Sequence, residues 1–164
     1  RGLLFSADKV VQRLYTKESF KKIVAKKLNL KKNSRLKNEI KEIIFRKPNT
    51  LRKLEKIIHP FVRKEMFNFI KKYKNAKFLF FEIPLMVESN LVKYFDIIIF
   101  IRSRRKLRMN RFLLNKRNKK LFKLLDKNQI KDTKKMRFCD HIIVNNKSLS
   151  VLKRNLLNII RLYE

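Results

Sequence analysis

The chain has 164 residues, 45% of them hydrophobic and 35% charged, and its 45 Lys and Arg against 13 Asp and Glu give a formal charge of +32. This apolar content fits a folded unit and excludes a disordered chain, which lacks apolar blocks such as FLFFEIPLMV. The lone Cys139 excludes an internal disulfide, and no apolar run approaches the roughly 20 residues of a membrane helix. We expect a cytoplasmic setting and no membrane partner.

The apolar periodicity predicts strands alternating with helices, which is typical of an α/β fold. The predicted elements are, in chain order, a strand at 3–6, a helix at 7–15, basic helices within 17–47, a helix from Asn49, strands at 78–81 and 97–101, exposed helices within 103–127, a strand at 142–144 and a helix from Leu149. Asn33 and Ser34 are expected to separate the two basic helices and to cap the second. Pro60 is expected to kink or break the next helix near His59.

The strands at 78–81 and 97–101 are continuous apolar runs, which predicts burial on both faces of a parallel sheet. Ligands of such sheets bind beyond the carboxyl ends of the strands. We therefore expect the residues that follow each strand to carry the chemistry.

The positive charge has two explanations. Basic surfaces attract polyanions, so a module that grips RNA or DNA with residues 17–47 and 102–117 is one alternative. Against it, the positively charged residues are spread along the whole chain. They occur together with many Asn, Ile and Phe residues, and an A+T-rich genome favours the codons of these residues and of Lys. We favour compositional drift and expect no specific nucleic-acid partner.

Glycine content restricts the chemistry further, because Gly2 is the only glycine. Loops that cradle phosphates need several glycines, since the backbone must turn sharply and approach the phosphate without a Cβ in the way. No such loop can form within these 164 residues.

The order and spacing of several segments resemble one family, the dephospho-CoA kinases of the P-loop kinase superfamily. The segments are FSADKVVQRLY, LEKIIHPFVRKEM, FFEIPLMVES, YFDIIIFIRS, RMNRFLLNKRN, NQIKDTKKMRFCDHIIVNN and the closing helix. The resemblance covers essentially the whole chain. It implies ATP-dependent phosphorylation of the ribose 3′-hydroxyl of dephospho-CoA, with ATP and Mg²⁺ as cofactors.

The resemblance also implies the architecture. We expect a P-loop kinase-type parallel sheet flanked by helices, formed by residues 1–16 and 76–164, with a helical lid at about 103–135 and a helical CoA-substrate domain at 17–75. The family's first strand and phosphate loop are absent from this sequence. Our hypothesis is that the sequence is a truncated product or a fragment of a longer chain.

The resemblance assigns a catalytic role to Asp8, which matches the second acid of the family's Asp-Ala-Asp segment and would act as a base toward the 3′-hydroxyl. Ser6 replaces the first acid. Taken without the resemblance, Asp8 is more typical of a helix cap than of a base, and the resemblance reverses that preference. Glu82 stands where the family usually carries an aspartate that supports the magnesium ion. Glutamate keeps the charge on a longer arm.

On the substrate side, the resemblance assigns His59 and Arg63, from the family's His-Pro-x-Val/Ile-Arg signature, and Glu88, from its Pro-Leu-Leu-x-Glu turn. Arg63 would pair with a phosphate, because its planar fork suits phosphate oxygens. The role of Glu88 is expected to be either on the substrate side or structural. Another small-molecule nucleotide kinase of the same superfamily is the alternative, and the HPFVR segment favours dephospho-CoA as the acceptor.

On the nucleotide side, Arg111 matches the first lid arginine and would neutralise charge on the transferred phosphoryl group. The second lid arginine falls on Asn115, with Arg117 as a substitute. Lys135 matches a family lysine that follows the lid, and Asn145 and Asn146 form the loop beside the adenine. Asparagine suits an adenine edge because its amide both donates and accepts hydrogen bonds.

Overall fold

The computed structural model describes residues 3–30, 35–115 and 118–164, so the predicted cap at Asn33 and Ser34 lies outside the described residues. The chain divides into two compact units, Arg1–Pro84 and Leu85–Glu164. The first contains β1 (Leu3–Ser6), α1 (Ala7–Leu14), α2 (Glu18–Leu28), α3 (Leu36–Arg46), α4 (Asn49–Lys72) and β2 (Leu79–Glu82). The second contains β3 (Ile99–Arg102), α5 (Arg105–Leu114), α6 (Lys119–Asn128), α7 (Asp132–Lys135), β4 (His141–Val144) and α8 (Leu149–Ile160), with 3-10 turns at Val92–Tyr94 and Met136–Phe138.

In the first unit, β1 and β2 pair in parallel, with Leu3 opposite Leu79 and Ser6 opposite Glu82. A parallel pair needs a long crossover, and α1 to α4 provide it. The chain passes from β1 directly into α1, where the buried Ser6 is the N-cap and its Oγ accepts a hydrogen bond of 3.5 Å from the Lys9 amide. The predicted strand and helix at this point are confirmed.

The helical part of the first unit is held together by α4, which packs against α1, α2 and α3. Phe20 is almost completely buried and makes edge-on ring contacts with Tyr15 and Phe61, with centroid separations of 5.2 and 5.3 Å. The other buried side chains of this core include Val10, Leu14, Val24, Leu28, Leu36, Ile40, Ile44, Leu51, Leu54, Val62 and Met66. Each large apolar side chain buried in this way contributes about 1.5–3 kcal/mol, which makes α4 the main support of the unit.

The prediction of a helix break near His59 is wrong, because α4 runs without interruption from Asn49 to Lys72 with Pro60 inside it. Proline removes one backbone hydrogen bond from a helix interior. Val62 and Met66, on the turns that follow, are 8% and 0% exposed. Burial of the following turns offsets the missing hydrogen bond and keeps the helix continuous.

In the second unit, β3 and β4 pair in parallel, with Ile99 opposite His141 and Arg102 opposite Val144. Asp140 sets this register, because its Oδ2 accepts from the Ile98 amide at 2.7 Å while its own amide donates to the Ile98 carbonyl at 2.9 Å. The structure confirms the strands predicted at 97–101 and 142–144, with boundaries shifted by one or two residues. It also confirms the helices predicted after them.

Burial on both faces, predicted for the strands at 78–81 and 97–101, is wrong: the apolar residues of β2 are only half-buried, and Ile101 and Arg102 of β3 are exposed. The later strand β4 is likewise covered on one side. In β4, Ile143 is 3% exposed while Ile142 and Val144 are 46% and 51% exposed. Successive side chains of a strand point to opposite faces, so β4 is buried on one face alone. Ile101 of β3 is also 46% exposed.

None of the helices in the described part of the chain is both long and apolar enough to cross a membrane.

Candidate functional site

Two carboxylates lie at the carboxyl end of the parallel pair in the first unit. Asp8 is in the first turn of α1, directly after β1, and Glu82 is the last residue of β2, opposite Ser6 in the register. Both side chains are exposed, and within residues 3–30, 35–115 and 118–164 neither has a hydrogen-bond or ion-pair partner. Their oxygens are accessible to a ligand at the edge where parallel sheets bind ligands.

The cap of α1 distinguishes between the two interpretations of Asp8. Ser6 is the N-cap, and Asp8 lies two residues further along, inside the helix. The helix-cap alternative for Asp8 is therefore wrong. The carboxylate still benefits from the positive end of the helix dipole, which favours a negative charge at this position.

His59 and Arg63 lie one turn apart on α4, and both are half-buried. Burial is the larger cause that lowers the His59 pKa, and the positive charge of Arg63 lowers it further. The imidazole is therefore neutral near pH 7. Any positive charge that this pair offers to a phosphate comes from Arg63.

In the second unit, the loop that follows β4 is hydrogen-bonded to the beginning and to the second turn of α5. Asn145 continues the β3–β4 ladder, because its amide donates to the Arg102 carbonyl at 2.7 Å. Its own carbonyl accepts from Arg111 Nη1 at 3.1 Å. Asn146 Oδ1 accepts from the Arg104 amide at 2.9 Å and from Ser103 Oγ at 3.3 Å. The structure thus brings Arg111, Asn145 and Asn146 together.

Glu88 and Lys135, which the sequence assigned to different ligands, form one ion pair. Lys135 Nζ lies 2.8 Å from Glu88 Oε1, and the side chains are 9% and 15% exposed. The same oxygen accepts from the Ile130 amide at 3.1 Å. The pair therefore fastens the segment before α7 to the turn that follows β2. This contact matches the structural alternative for Glu88, and the ligand roles of both residues remain predictions.

Sequence reasoning missed Asp126 of α6, whose carboxylate forms ion pairs with two arginines of α5. Asp126 Oδ2 lies 2.6 Å from Arg105 Nε, and its Oδ1 lies 3.1 Å from Arg108 Nη2. The Arg105 guanidinium also lies over the Phe122 ring, and Phe122 meets Phe112 edge-on. A signal existed, because Asp126 is the only acid between residues 97 and 131, within a strongly basic stretch.

The remaining sequence predictions concern two lid positions, Arg117 and Asn115, and a crevice shared by three candidate residues. Arg117 lies outside the described residues. Asn115, the position of the family's second lid arginine, donates from Nδ2 to the Arg111 carbonyl at 3.0 Å, which ends α5. Asp8 and Glu82 belong to the first unit and Arg111 to the second, so a common crevice for all three stays a prediction.

A magnesium site is not evident from protein ligands alone. Among the described residues, no three His, Cys, Asp or Glu side chains gather to hold a metal ion. Mg²⁺ usually takes only one or two carboxylates and fills its remaining positions with water and phosphate oxygens. The donor set of Asp8 and Glu82 fits that requirement.

With this geometry established, comparison with known proteins identifies the family. The family model for dephospho-CoA kinase matches residues 5–150, which is most of the chain. The chain belongs to the dephospho-CoA kinase family.

Curated dephospho-CoA kinases from several bacteria are similar to the chain along most of its length. The protein from Protochlamydia amoebophila is 32% identical over 162 residues, and the match covers 92% of this chain and 79% of the relative. The protein from Fusobacterium nucleatum is 29% identical, with 91% and 79% covered, and that from Bartonella henselae is 27% identical, with 96% and 84% covered.

Solved structures support the fold. A Thermus thermophilus protein superposes with a TM-score of 0.71 at 21% identity, and the match covers 98% of this chain and 84% of that one. Dephospho-CoA kinase from Campylobacter jejuni gives a TM-score of 0.60 at 24% identity, with the same coverage. The expected α/β fold with parallel strands flanked by helices is confirmed. Members of the family are kinases that act on dephospho-CoA with ATP as the second substrate.

Proposed function

We propose that this protein transfers the γ-phosphoryl group of ATP to the ribose 3′-hydroxyl of dephospho-CoA. Family membership supports the reaction, and the observation that carries its chemistry is the exposed Asp8 at the carboxyl end of β1. An exposed carboxylate without a protein partner among the described residues is available to a substrate hydroxyl. Phosphoryl transfer asks of the protein mainly positioning and charge neutralisation.

Asp8 is the proposed base. Its carboxylate accepts the hydrogen bond of the 3′-hydroxyl and takes the proton as the new O–P bond forms and the bond to the ADP leaving group breaks. Arg111 is the proposed cation for the transferred group. Its Nη1 already donates to the Asn145 carbonyl, which leaves other guanidinium N–H groups for phosphoryl oxygens.

Glu82 is the proposed metal-side carboxylate. When bound, a magnesium ion would neutralise phosphate charge, and Glu82 would hold its water shell from the end of β2. Asp8 lies at the same edge, which keeps the base close to that shell.

Arg63 and His59 are the proposed substrate-side residues, whereas the contacts of Glu88 with Lys135 and the Ile130 amide favour a structural role. Arg63 would pair with a dephospho-CoA phosphate, and the neutral His59 would contribute hydrogen bonds without adding charge. We assign residues 17–75 to this substrate domain, because the core around α4 is contained within the first unit.

On the ATP side we propose Arg117 and Asn145, with residues 103–135 as the lid. Lys135 and Asn146 were predicted there too, but their contacts with Glu88 and Arg104 favour structural roles. The Asp126 contacts support the lid boundary, because they join α5 and α6 into one hairpin. Residues 1–16 and 76–164 would form the nucleotide-binding core. The single free Cys139 fits a reducing compartment, so we place the activity in the cytoplasm.

The test is an assay of the purified protein. With ATP, Mg²⁺ and dephospho-CoA it should yield CoA and ADP. A 3′-deoxy analogue of dephospho-CoA should yield no phosphorylated product, because the accepting oxygen is missing. AMP and other nucleotides should be much poorer acceptors. Phosphorylation of another nucleotide in preference to dephospho-CoA would contradict the proposed acceptor.

The high charge supplies a second test. We expect weak, non-specific attraction to nucleic acid at low salt. A true binding module would stay tight and show a steep dependence of log K on log salt, because each neutralised phosphate releases counterions. Titration of RNA and DNA at two salt concentrations separates the two functions, and tight, salt-sensitive binding together with no phosphorylation would overturn the kinase proposal.

A further inference from the structure

The loop after β4 is attached at two points, the N-cap of α5 and a side chain about two turns further on. Asn146 Oδ1 receives the Arg104 amide at the helix start, and the Asn145 carbonyl receives the Arg111 guanidinium. Arg104 and Arg111 are seven residues apart, which is about two helical turns. The loop therefore lies alongside the first two turns of α5.

The hydrogen bonds of Asn146 use only one of its two polar groups. Oδ1 accepts from the Arg104 amide at 2.9 Å and from Ser103 Oγ at 3.3 Å. The amide NH₂ takes no part in these two bonds. An adenine edge would instead engage the donor and the acceptor of the same amide together.

We propose that Asn146 is a positioning residue for phosphoryl transfer. Its Oδ1 holds the start of α5 against the loop, and the helix then places Arg111 two turns further on, where the Asn145 carbonyl orients the guanidinium. This inference rests on the proposed function, because it deepens the role of Arg111. In this proposal the side chain of Asn146 does not bind the adenine. It fixes the position of α5, the first helix of the proposed lid.

A pair of substitutions distinguishes positioning from adenine reading. Asn146→Asp keeps an acceptor for both donors, and its charge is favourable near a helix N-terminus. The same change removes the NH₂ donor that adenine reading requires. Asn146→Ala removes both groups. Positioning therefore predicts that the aspartate variant retains what the alanine variant loses.

The experiment measures kcat and KM for ATP in the full polypeptide. We expect Asn146→Ala to lower kcat by about three- to tenfold, mainly through the lost hydrogen bond from the Arg104 amide, with little change in the KM for ATP. Asn146→Asp should restore kcat to within about twofold of the unsubstituted protein. Ser103→Ala should have a smaller effect, because it removes the longer of the two bonds. Asn158→Ala on the exposed side of α8 is the matched control and should change nothing.

A second readout does not depend on activity. Hydrogen exchange at the Arg104 amide should be faster by about three- to tenfold in Asn146→Ala and should return to its original rate in Asn146→Asp. A protein without kinase activity would defeat the proposed function, and the exchange rates would still decide whether Asn146 holds α5.

The proposal is overturned if Asn146→Asp behaves like Asn146→Ala and both raise the KM for ATP while kcat is maintained. It is also overturned if the Arg104 amide exchanges at one rate in all variants. Should Asn146→Ala fail to fold, Asn146→Asp carries the test alone. Retention of kcat and of the ATP KM supports positioning, and a raised ATP KM contradicts it.

Discussion

The two carboxylates of the first unit and the candidate residues of the second unit differ in how far the protein itself already uses them. In the first unit, Asp8 and Glu82 are exposed and, within the described part of the chain, have no protein partner. In the second unit, Arg111, Asn146 and the pair of Glu88 and Lys135 all bond to other residues of the chain. Matching a motif identifies a residue type in each case. It does not reveal whether the side chain is available to a ligand or serves to hold the site in shape.

This comparison predicts the largest loss of activity at Asp8. Asp8→Asn keeps the size of the side chain and removes its basicity, so we expect kcat to fall by about 10²- to 10⁴-fold, the usual contribution of a general base. Thermal stability should hardly change, because the carboxylate is exposed. Steady-state kinetics and a melting curve measure both quantities.

Glu42→Gln is the matched control for this experiment, since Glu42 is an exposed acid of α3 outside the site. Equal losses of activity in the two variants, or a large fall in melting temperature for Asp8→Asn, would show that Asp8 is not an available ligand group.

At Lys135 we expect the reverse of the Asp8 result, namely a loss of stability. Lys135→Met leaves Glu88 as a charge in a mostly buried site, so the free energy of unfolding should fall by about 3 kcal/mol. Chemical denaturation measures this change. Lys134→Met, at the exposed neighbouring lysine, should change stability by less than about 0.5 kcal/mol.

Adding Glu88→Gln to Lys135→Met sharpens the same test. If the pair is structural, removal of the second charge should recover part of the stability, because no unpaired charge is left buried. A stable Lys135→Met protein with a strongly raised KM for ATP would instead show that Lys135 binds the nucleotide directly, as the sequence predicted.

A smaller effect is expected at Asp126. Asp126→Asn removes the charge that holds Arg105 and Arg108, and we expect a loss of about 1 kcal/mol, since Arg105 is 58% exposed and its attraction is screened by solvent. The amides of α5 and α6 should exchange faster, while those of α4 should not change. Asp132→Asn, in α7, is the control. Uniformly faster exchange in both units would contradict a role confined to the α5–α6 hairpin.

The smallest effect concerns His59, whose pKa is lowered in the folded protein by burial and by Arg63. The unfolded chain then binds the proton more readily, so stability is lost as the pH falls below the ordinary histidine value of 6.5. Denaturation between pH 7.5 and about 5 should show this loss, and His59→Gln should reduce it. An unchanged slope in the variant would exclude His59 as its source.

Local patterns determined much of the fold. Strand-then-helix at 3–15, the start of α4 at Asn49 and the elements of the second unit follow from periodicity and turn residues, which act over a few positions. The continuity of α4 through Pro60 did not follow, because burial of later turns outweighs a local rule. Exposure of one face of β4 was also not predictable from an apolar run, since the run does not reveal which face is covered.

The sequence by itself therefore determined the family, the order of elements and the kinds of side chain at the candidate site. Only the tertiary structure decided the partners of those side chains. Glu88 meets the Ile130 amide across 42 positions of sequence, and Asn146 meets Arg104 across another 42. Periodicity and capping act between near neighbours in the chain, whereas a hydrogen bond at about 3 Å between distant residues depends on how the intervening elements pack.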